Sequence, residues 1–570
     1  MKKRILSMLL FCSALVSCQN YFDIDSERSD LPEWQSVTDL TGMLAASYKV
    51  MFTNGGWANP LANTHNYTEL VHDLGVINPG GSWTFGIDPN ARTNYPFDQS
   101  EYQLGYAING IYISISCTNT LIAFIDEVEA GNIAIMSALS TSDLTELSRI
   151  KGEAYFMRGF AYYLLSLLYM PPYSDENSET VYLPYIVERY YTAEELLSPP
   201  MGTMGMVYDL MVSDFTIARS ELESIGQSDS DIQTTRRGYA NKYAAAAMLM
   251  RLYFVQQNWS AALEQITYIE KGPYDLSEQP IRGFNRNYDS SYPVANEVIF
   301  DCVLTGTGST ANSQPALNRI TKIGSFSTAI NKVIDLTDPN WVMGGRDENW
   351  LHQQSSALYW NTNVLRDIGW AEDNVEAPGD VNRFQLTAEA EADLRCSQLH
   401  YYLKLYKEGG DQTEHEMYYT STYWDALWND KYLRAPNAQY SQLPLIRYAE
   451  VVLTKASCLV QSGGSNADAV TAINTIRERA YGSSAYNFTG TVTEDVVEIE
   501  RIKELAFELG DRLRYLAAMK RDIPSNGKKT DPSQASDVPV IPYPYNGFHI
   551  ELPDYEIDYS SSAWEALDNY

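Results

Sequence analysis

Apolar residues recur at three- and four-residue spacing along much of this chain. Leu40, Met43, Leu44 and Met51 share one face of a helix that starts at Ser36-Val37-Thr38-Asp39, where an acid three residues on completes a capping pattern. The period returns from Glu101 to Ala130 through Ile108, Ile111, Tyr112, Ile115, Ile122 and Ile125, and Gly131-Asn132 ends it. Ser142 to Leu168 reads as a helix through Leu147, Ile150, Ala154, Ala161, Leu165 and Leu168, stopped by Pro171-Pro172. Further helices are predicted over 203–222, 241–257, 260–271, 443–461, 466–480 and 494–519. Residues 53–100 are rich in Gly, Asn, Pro and Trp and read as irregular. Periodicity also fails between Gly272 and Gln442, and a structureless run that long belongs to a functional segment or a separate lobe.

The helices fall into pairs. Residues 239–257 with 258–271, and 444–462 with 465–480, each span about 34 residues, the length of a tetratricopeptide unit. Two further pairs, 36–52 with 101–130 and 142–169 with 203–224, carry long insertions. Small residues stand where partner helices must approach closely: Ala244 to Ala247, Ala261, Ala262, Ala449, Ala469 and Ala472. One pair cannot bury its apolar face alone, so the units must stack. The expected fold is mostly α: a tetratricopeptide-like scaffold of about four helix pairs, with irregular aromatic-rich insertions forming a second lobe. The expected divisions are 1–17 (signal peptide), 18–35 (tether), 36–271 (helix pairs one to three with the 53–100 insertion), 272–442 (insertion lobe), 443–520 (fourth pair and last helix) and 521–570 (irregular tail).

The start of the chain adds an address. Lys2, Lys3 and Arg4 precede an apolar run from Ile5 to Val16, too short for the roughly 20 residues of a membrane span. It ends in Leu15-Val16-Ser17-Cys18, which resembles the lipobox of bacterial lipoproteins and implies lipidation at Cys18. No later stretch reads as a span, so the lipid is the expected anchor. Net charge is −32, from 73 acids against 41 bases, a balance that repels phosphate backbones and argues against a nucleic-acid partner. After Cys18 only Cys117, Cys302, Cys396 and Cys458 remain, scattered and without a CxxC, so neither a disulfide framework nor a zinc knuckle can be written. Aromatic residues make up 12% of the chain and tyrosine leads with 42, which points to a half-wet aromatic surface.

Several segments together resemble the SusD/RagB family of outer-membrane nutrient-binding lipoproteins. Cys18-Gln19-Asn20-Tyr21-Phe22-Asp23 is similar to the family's start. Gly152-Glu153-Ala154 through Arg158-Gly159-Phe160-Ala161 is similar to its A-x-x-R-A helix. Val207, Tyr208, Asp214, Ala218 and Leu222 follow in family order, as do Asn241-Lys242, Asn258-Trp259-Ser260-Ala261-Ala262 and Gly272-Pro273-Tyr274-Asp275-Leu276. Tyr448-Ala449-Glu450, Ile473-Asn474-Thr475-Ile476-Arg477-Glu478-Arg479-Ala480, Glu500-Arg501 and Phe507-Glu508 complete the match. Two places depart: Glu508-Leu509-Gly510-Asp511-Arg512 replaces E-G-x-R, and the C-terminal Pro553-Asp554-Tyr555-Glu556-Ile557 run lacks its Asn-Pro. The resemblance implies a non-catalytic, lipid-anchored protein facing outward from the outer membrane, capping a SusC-like TonB-dependent transporter and capturing oligosaccharides.

Sugar rings offer C–H faces to flat aromatics and hydroxyl rims to polar side chains. On that chemistry, and because family members build their glycan platform from these insertions, the expected contacts are Trp83 and Phe85 with Asp73 and Asn78, and Trp341, Trp350, Tyr359 and Trp360. Burial competes as an explanation for each tryptophan. Trp424 and Trp428 read as core, as does Trp259 at its hinge. His65, His72 and Asp73 read as polar surface rather than metal ligands. Asp229-Ser230-Asp231 reads as a solvated loop, although calcium is compatible with it. No GxSxG, HExxH or GxxxxGK[ST] occurs, and no other cofactor is expected. Peptide capture is the alternative function, and a surface glycosidase the third, since a pair among 73 acids would suffice.

Overall fold

The computed structural model describes residues 34, 36–52, 59–77, 102–133, 139–189, 199–284, 296–305, 358–375, 383–407, 416–419, 424–429, 431, 440–525, 540–550 and 552. The signal peptide, Cys18 and nearly all of the tether lie outside them.

Among the described residues the fold is mostly helical. The N-terminal half comprises α1 (Val37–Phe52), α2 (Pro60–Leu70), α3 (Tyr102–Glu129), α4 (Thr141–Tyr169), α5 (Met204–Ser224), the short α6 (Asp229–Gln233), α7 (Lys242–Val255) and α8 (Trp259–Ile269). The short helices α9 (Thr362–Asp367), α10 (Ala388–Ala392) and α11 (Leu394–Leu399) follow. Then come α12 (Tyr448–Gln461), α13 (Asn466–Tyr481), α14 (Glu494–Leu505) and α15 (Asp511–Ala518). The partners paired from sequence pack as neighbours: α1 on α3, α4 on α5, α7 on α8, and α12 on α13. Ser36 N–H and Oγ both donate to Asp39 Oδ2 at 3.0 Å, so the capping acid opens α1.

Close approach explains the glycines of the family-like helix. A Cβ on Gly152 would lie 2.8 Å from Leu222 Cγ, and one on Gly159 3.0 Å from Phe215 Cζ, so α4 and α5 touch where side chains are missing. The motif polar residues are struts between helices. Arg158 donates to both oxygens of Asp214 at 2.8 and 2.7 Å, tying α4 to α5. Arg251 donates to both oxygens of Glu450 at 2.7 and 2.6 Å, tying α7 to α12. Each charge is buried yet doubly bonded, the condition under which a buried ion pair survives desolvation.

Several sequence expectations change. The 53–100 insertion contains α2, capped by Asn59, whose Oδ1 accepts from Ala62 N–H at 2.9 Å, with Pro60 at the first turn. Residues 440–447 form strand β11 (Tyr440–Arg447) paired antiparallel with β4 (Val298–Thr305), so the helix expected from 443 starts at Tyr448. The expected 494–519 helix is two: Phe507, Leu509 and Gly510 take positive φ and reverse the chain between α14 and α15. By length and composition Ala107–Glu129 could cross a membrane, with mean hydropathy 1.5; here Ile108, Ile111, Ile115, Leu121 and Ile125 are fully buried against other helices, as in a soluble core.

The 272–442 segment is not wholly irregular. It supplies most of a five-stranded sheet in the order β1 (Gly75–Ile77), β5 (Leu358–Trp360), β10 (Trp424–Asn429), β8 (His400–Lys407), β9 (Glu416–Tyr419). Trp424 and Trp428 stand on strand β10. Two small hairpins, β2 (Val181–Pro184) with β3 (Met201–Thr203) and β6 (Ala371–Asp373) with β7 (Phe384–Leu386), complete the set. Cys302, Cys396 and Cys458 are buried free thiols and Cys117 is half-buried.

Candidate functional site

The two insertions meet at one short ladder. β1 pairs antiparallel with β5 in the register Gly75 to Trp360, Val76 to Tyr359 and Ile77 to Leu358. β1 ends at Ile77 opposite Leu358, where β5 begins. The segment carrying Asn78, Trp83 and Phe85 and the segment carrying Trp341 and Trp350 are thus joined to the protein at the same end of the ladder. Those five residues lie outside the described ones. Tyr359 holds a central position, paired with Val76 on one side and Trp428 on the other, and Trp428 pairs in turn with Tyr401. Three aromatic residues therefore occupy one register row across β5, β10 and β8.

Two of the expected sugar contacts are interior residues. Trp360 is 1% exposed; its indole N–H donates to His400 Nδ1 at 3.2 Å and its ring meets Phe507, Trp370 and His400 at centroid distances of 5.0, 5.6 and 5.2 Å. Both faces of that ring are occupied by protein, so it presents none to a ligand. Asp73 is buried as well, with its oxygens accepting from Arg512 Nε at 2.8 Å and Nη2 at 2.7 Å. Both residues anchor the ladder instead of lining a cleft.

The anchor has a clear construction. His65 and His72, expected on a polar surface, are buried. His72 Nε2 lies 2.8 Å from Glu69 Oε2, and Glu69 Oε1 accepts from Gly510 N–H at 2.8 Å. Burial alone would raise the Glu69 carboxyl, but its contacts with His72, His65 and Gly510 outweigh that and hold it at about 2. Burial pushes His65 below the usual histidine range. Asn361 ties the two strands across: its N–H donates to Leu74 O at 2.8 Å and its Nδ2 to Asp73 O at 3.0 Å. The β1–β5 ladder is therefore locked to α2 and α15 by partnered polar groups, which fixes its geometry.

Two cavities among the described residues do not suit a sugar. One of about 30 Å³ lies among Tyr67, Tyr173, Tyr208, Phe548 and Arg514, which is room for water and not for a pyranose. A shallow groove of about 600 Å³ between the starts of α1 and α4 is lined by Val37, Thr38, Thr41, Ser142, Asp143, Thr145 and Glu146, with no aromatic face. Among the described residues, no three His, Cys, Asp or Glu side chains gather as a metal site. Asp229 and Asp231 serve the local fold: Asp229 Oδ1 accepts from Tyr243 OH at 3.1 Å, and Asp231 Oδ2 from the capping Ser228 Oγ at 2.7 Å.

The chain is similar to known proteins over most of its length. The profile of the SusD family matches residues 331–529, and one described as starch-binding, associating with the outer membrane, matches residues 31–254. SusD-like protein P2 of Formosa agariphila is 23% identical over 530 residues, 89% of each chain. SusD-like protein P25 of the same organism is 23% identical over 48% of this chain and 46% of its own length. A SusD superfamily structure from Bacteroides thetaiotaomicron superposes with a TM-score of 0.60 at 19% identity, covering 94% of this chain and 98% of that one. A putative sugar binding protein from Bacteroides vulgatus gives 0.62 at 17% identity, covering 92% and 96%.

Proposed function

This chain belongs to the SusD family, and from that premise we propose that it is a cell-surface lipoprotein that captures oligosaccharides and passes them to a SusC-like TonB-dependent transporter. Cys18 carries the lipid that holds it to the outer membrane. The role needs no catalytic residue: binding and release suffice. The similarity to a protein described as sugar-binding supports the choice of ligand.

The observation that carries this reading is the β1–β5 ladder, in which Ile77 and Leu358, the residues that border the two aromatic-rich segments, stand side by side. Trp83 and Phe85 with Asn78 from one side, and Trp341 and Trp350 from the other, then supply stacking faces and hydroxyl partners. Tyr359, in the register row with Trp428 and Tyr401, lies at the junction. Affinity in the micromolar-to-millimolar range, about −8 to −4 kcal/mol, suits a site that must release its cargo.

The test is calorimetric titration of the mature protein with panels of oligosaccharides and peptides. Saccharide binding that drops at least tenfold in Trp83→Ala or Trp341→Ala is the expected result. Heat from peptides alone, or turnover of any saccharide, would overturn the reading.

A further inference from the structure

We propose that Tyr486 is a second sugar-ring contact, carried by the helical scaffold and separate from the sheet; the inference rests on the oligosaccharide reading above. On the helical scaffold two exposed aromatic side chains are Tyr239 at 40% and Tyr486 at 37%. Tyr239 has the Arg236 guanidinium 3.9 Å above its ring, so its face is already covered. Tyr486 stacks on Tyr481 with centroids 4.3 Å apart and planes 12° from parallel, and Tyr481 is the one ring partner recorded for it among the described residues. A face-to-face stack covers one side of the outer ring and leaves the other to solvent.

The inner ring is fixed from below. Tyr481 is buried, its OH donates to Glu389 Oε1 at 2.8 Å, and the guanidiniums of Arg477 and Arg395 sit 5.3 and 5.8 Å from its centroid. The loop that carries the outer ring is fixed too. Arg477 Nε donates to Tyr486 O at 2.6 Å. Asn474 accepts from Phe488 N–H at 2.7 Å and donates to Phe488 O at 3.1 Å. Asn466 repeats that clamp on Gly490 O at 3.0 Å and Val492 N–H at 2.8 Å. An exposed ring on so constrained a loop loses little freedom when a ligand stacks on it.

The surroundings suit hydroxyls. Glu478 is exposed and accepts from Asn487 Nδ2 at 2.6 Å, and Glu389 keeps 40% of its side chain open while bonded to Lys503 and Tyr481. Ser483 and Ser484 are exposed beside them. A carboxylate already bonded to a donor, next to a flat ring, takes sugar hydroxyls without an unpaired buried charge. A pyranose with an axial-poor C–H face is the class that fits.

The test compares wild type, Tyr486→Ala and Tyr486→Trp, each as the full mature chain. Titrants are the shortest oligosaccharide that binds wild type and a polymer of the same sugar. Losing one stacked ring weakens binding about three- to tenfold. The expected result is that loss for the polymer in Tyr486→Ala, unchanged short-oligosaccharide affinity, and recovery in Tyr486→Trp. A second readout is saturation-transfer NMR on Trp83→Ala/Trp341→Ala protein, where residual sugar contact should vanish on adding Tyr486→Ala. Equal polymer affinity in wild type and Tyr486→Ala, with sugar binding intact, overturns this inference alone. Binding of a lysine-rich peptide at Tyr486 in place of sugar also overturns it. No saccharide binding by wild type overturns the oligosaccharide reading instead.

Discussion

Asp73→Ala separates an anchor from a ligand contact. Asp73 and Arg512 form a two-bond pair at 2.8 and 2.7 Å, with side chains 4% and 6% exposed. Removing one member of a buried pair costs about 3–5 kcal/mol, because the other charge is left in the interior. Arg512 keeps a second partner, Glu498 Oε1 at 2.6 Å, so the low end of that range, about 3 kcal/mol, is expected. The Asn361 bond to Asp73 O involves the main chain and survives in alanine. Urea unfolding of mature protein, followed by far-ultraviolet circular dichroism, measures the cost. The double variant Asp73→Ala/Arg512→Met removes both charges and should be less destabilised than the sum of the singles, by about 1–3 kcal/mol for residues in one network. If Asp73→Ala leaves the urea midpoint in place while abolishing sugar affinity, the anchor assignment is wrong and Asp73 faces the ligand.

The reversal between α14 and α15 makes a second stability test. Gly510 has φ +67°, and a Cβ there would lie 3.2 Å from Thr68 Cγ2, so Gly510→Ala should lose about 1–2 kcal/mol, read from the same urea midpoint. The C-terminal segment supplies a pH test. Burial pulls His549 down to about 4, below its unfolded value near 6.5, so its neutral form is the one that docks. Stability from that group is complete above about pH 6.5 and is lost as pH falls through about 4, since the unfolded chain takes up the proton first. The protection factor of the Ile550 amide, whose N–H donates to Leu168 O at 3.0 Å, should fall over that window in wild type and much less in His549→Phe. Equal slopes in the two proteins would refute the assignment.

The helical frame was legible because its apolar faces repeat at the helical period and its partners are near in sequence. α13, expected over 466–480, runs from Asn466 to Tyr481. α2 was missed because its buried side carries Thr64, His65, Thr68 and Glu69, polar residues that look like surface until their partners are present. Those partners are Phe507 and Gly510, more than 440 residues away in the chain. β11 was read as helix because Leu443-Pro444-Leu445-Ile446 is a short apolar run that carries no period of its own. Trp360 and Asp73 were placed in the site by composition. Only pairing across the β1–β5 ladder, and the arrival of Arg512, shows that they face inward. The convergence of the two insertions was likewise hidden, since three rungs of backbone pairing leave no trace in local sequence.

That stem has a consequence for how such a protein diversifies. Residues 78–101 and 306–357 each join the clamped base at one end, through Ile77 and Leu358, so changes in their length or sequence start from a fixed point. A relative's pair of arms, grafted at 78–101 and 306–357, has fixed attachment points at Ile77, Tyr102, Thr305 and Leu358. New diets can then be met by exchanging fingers while the hand stays the same.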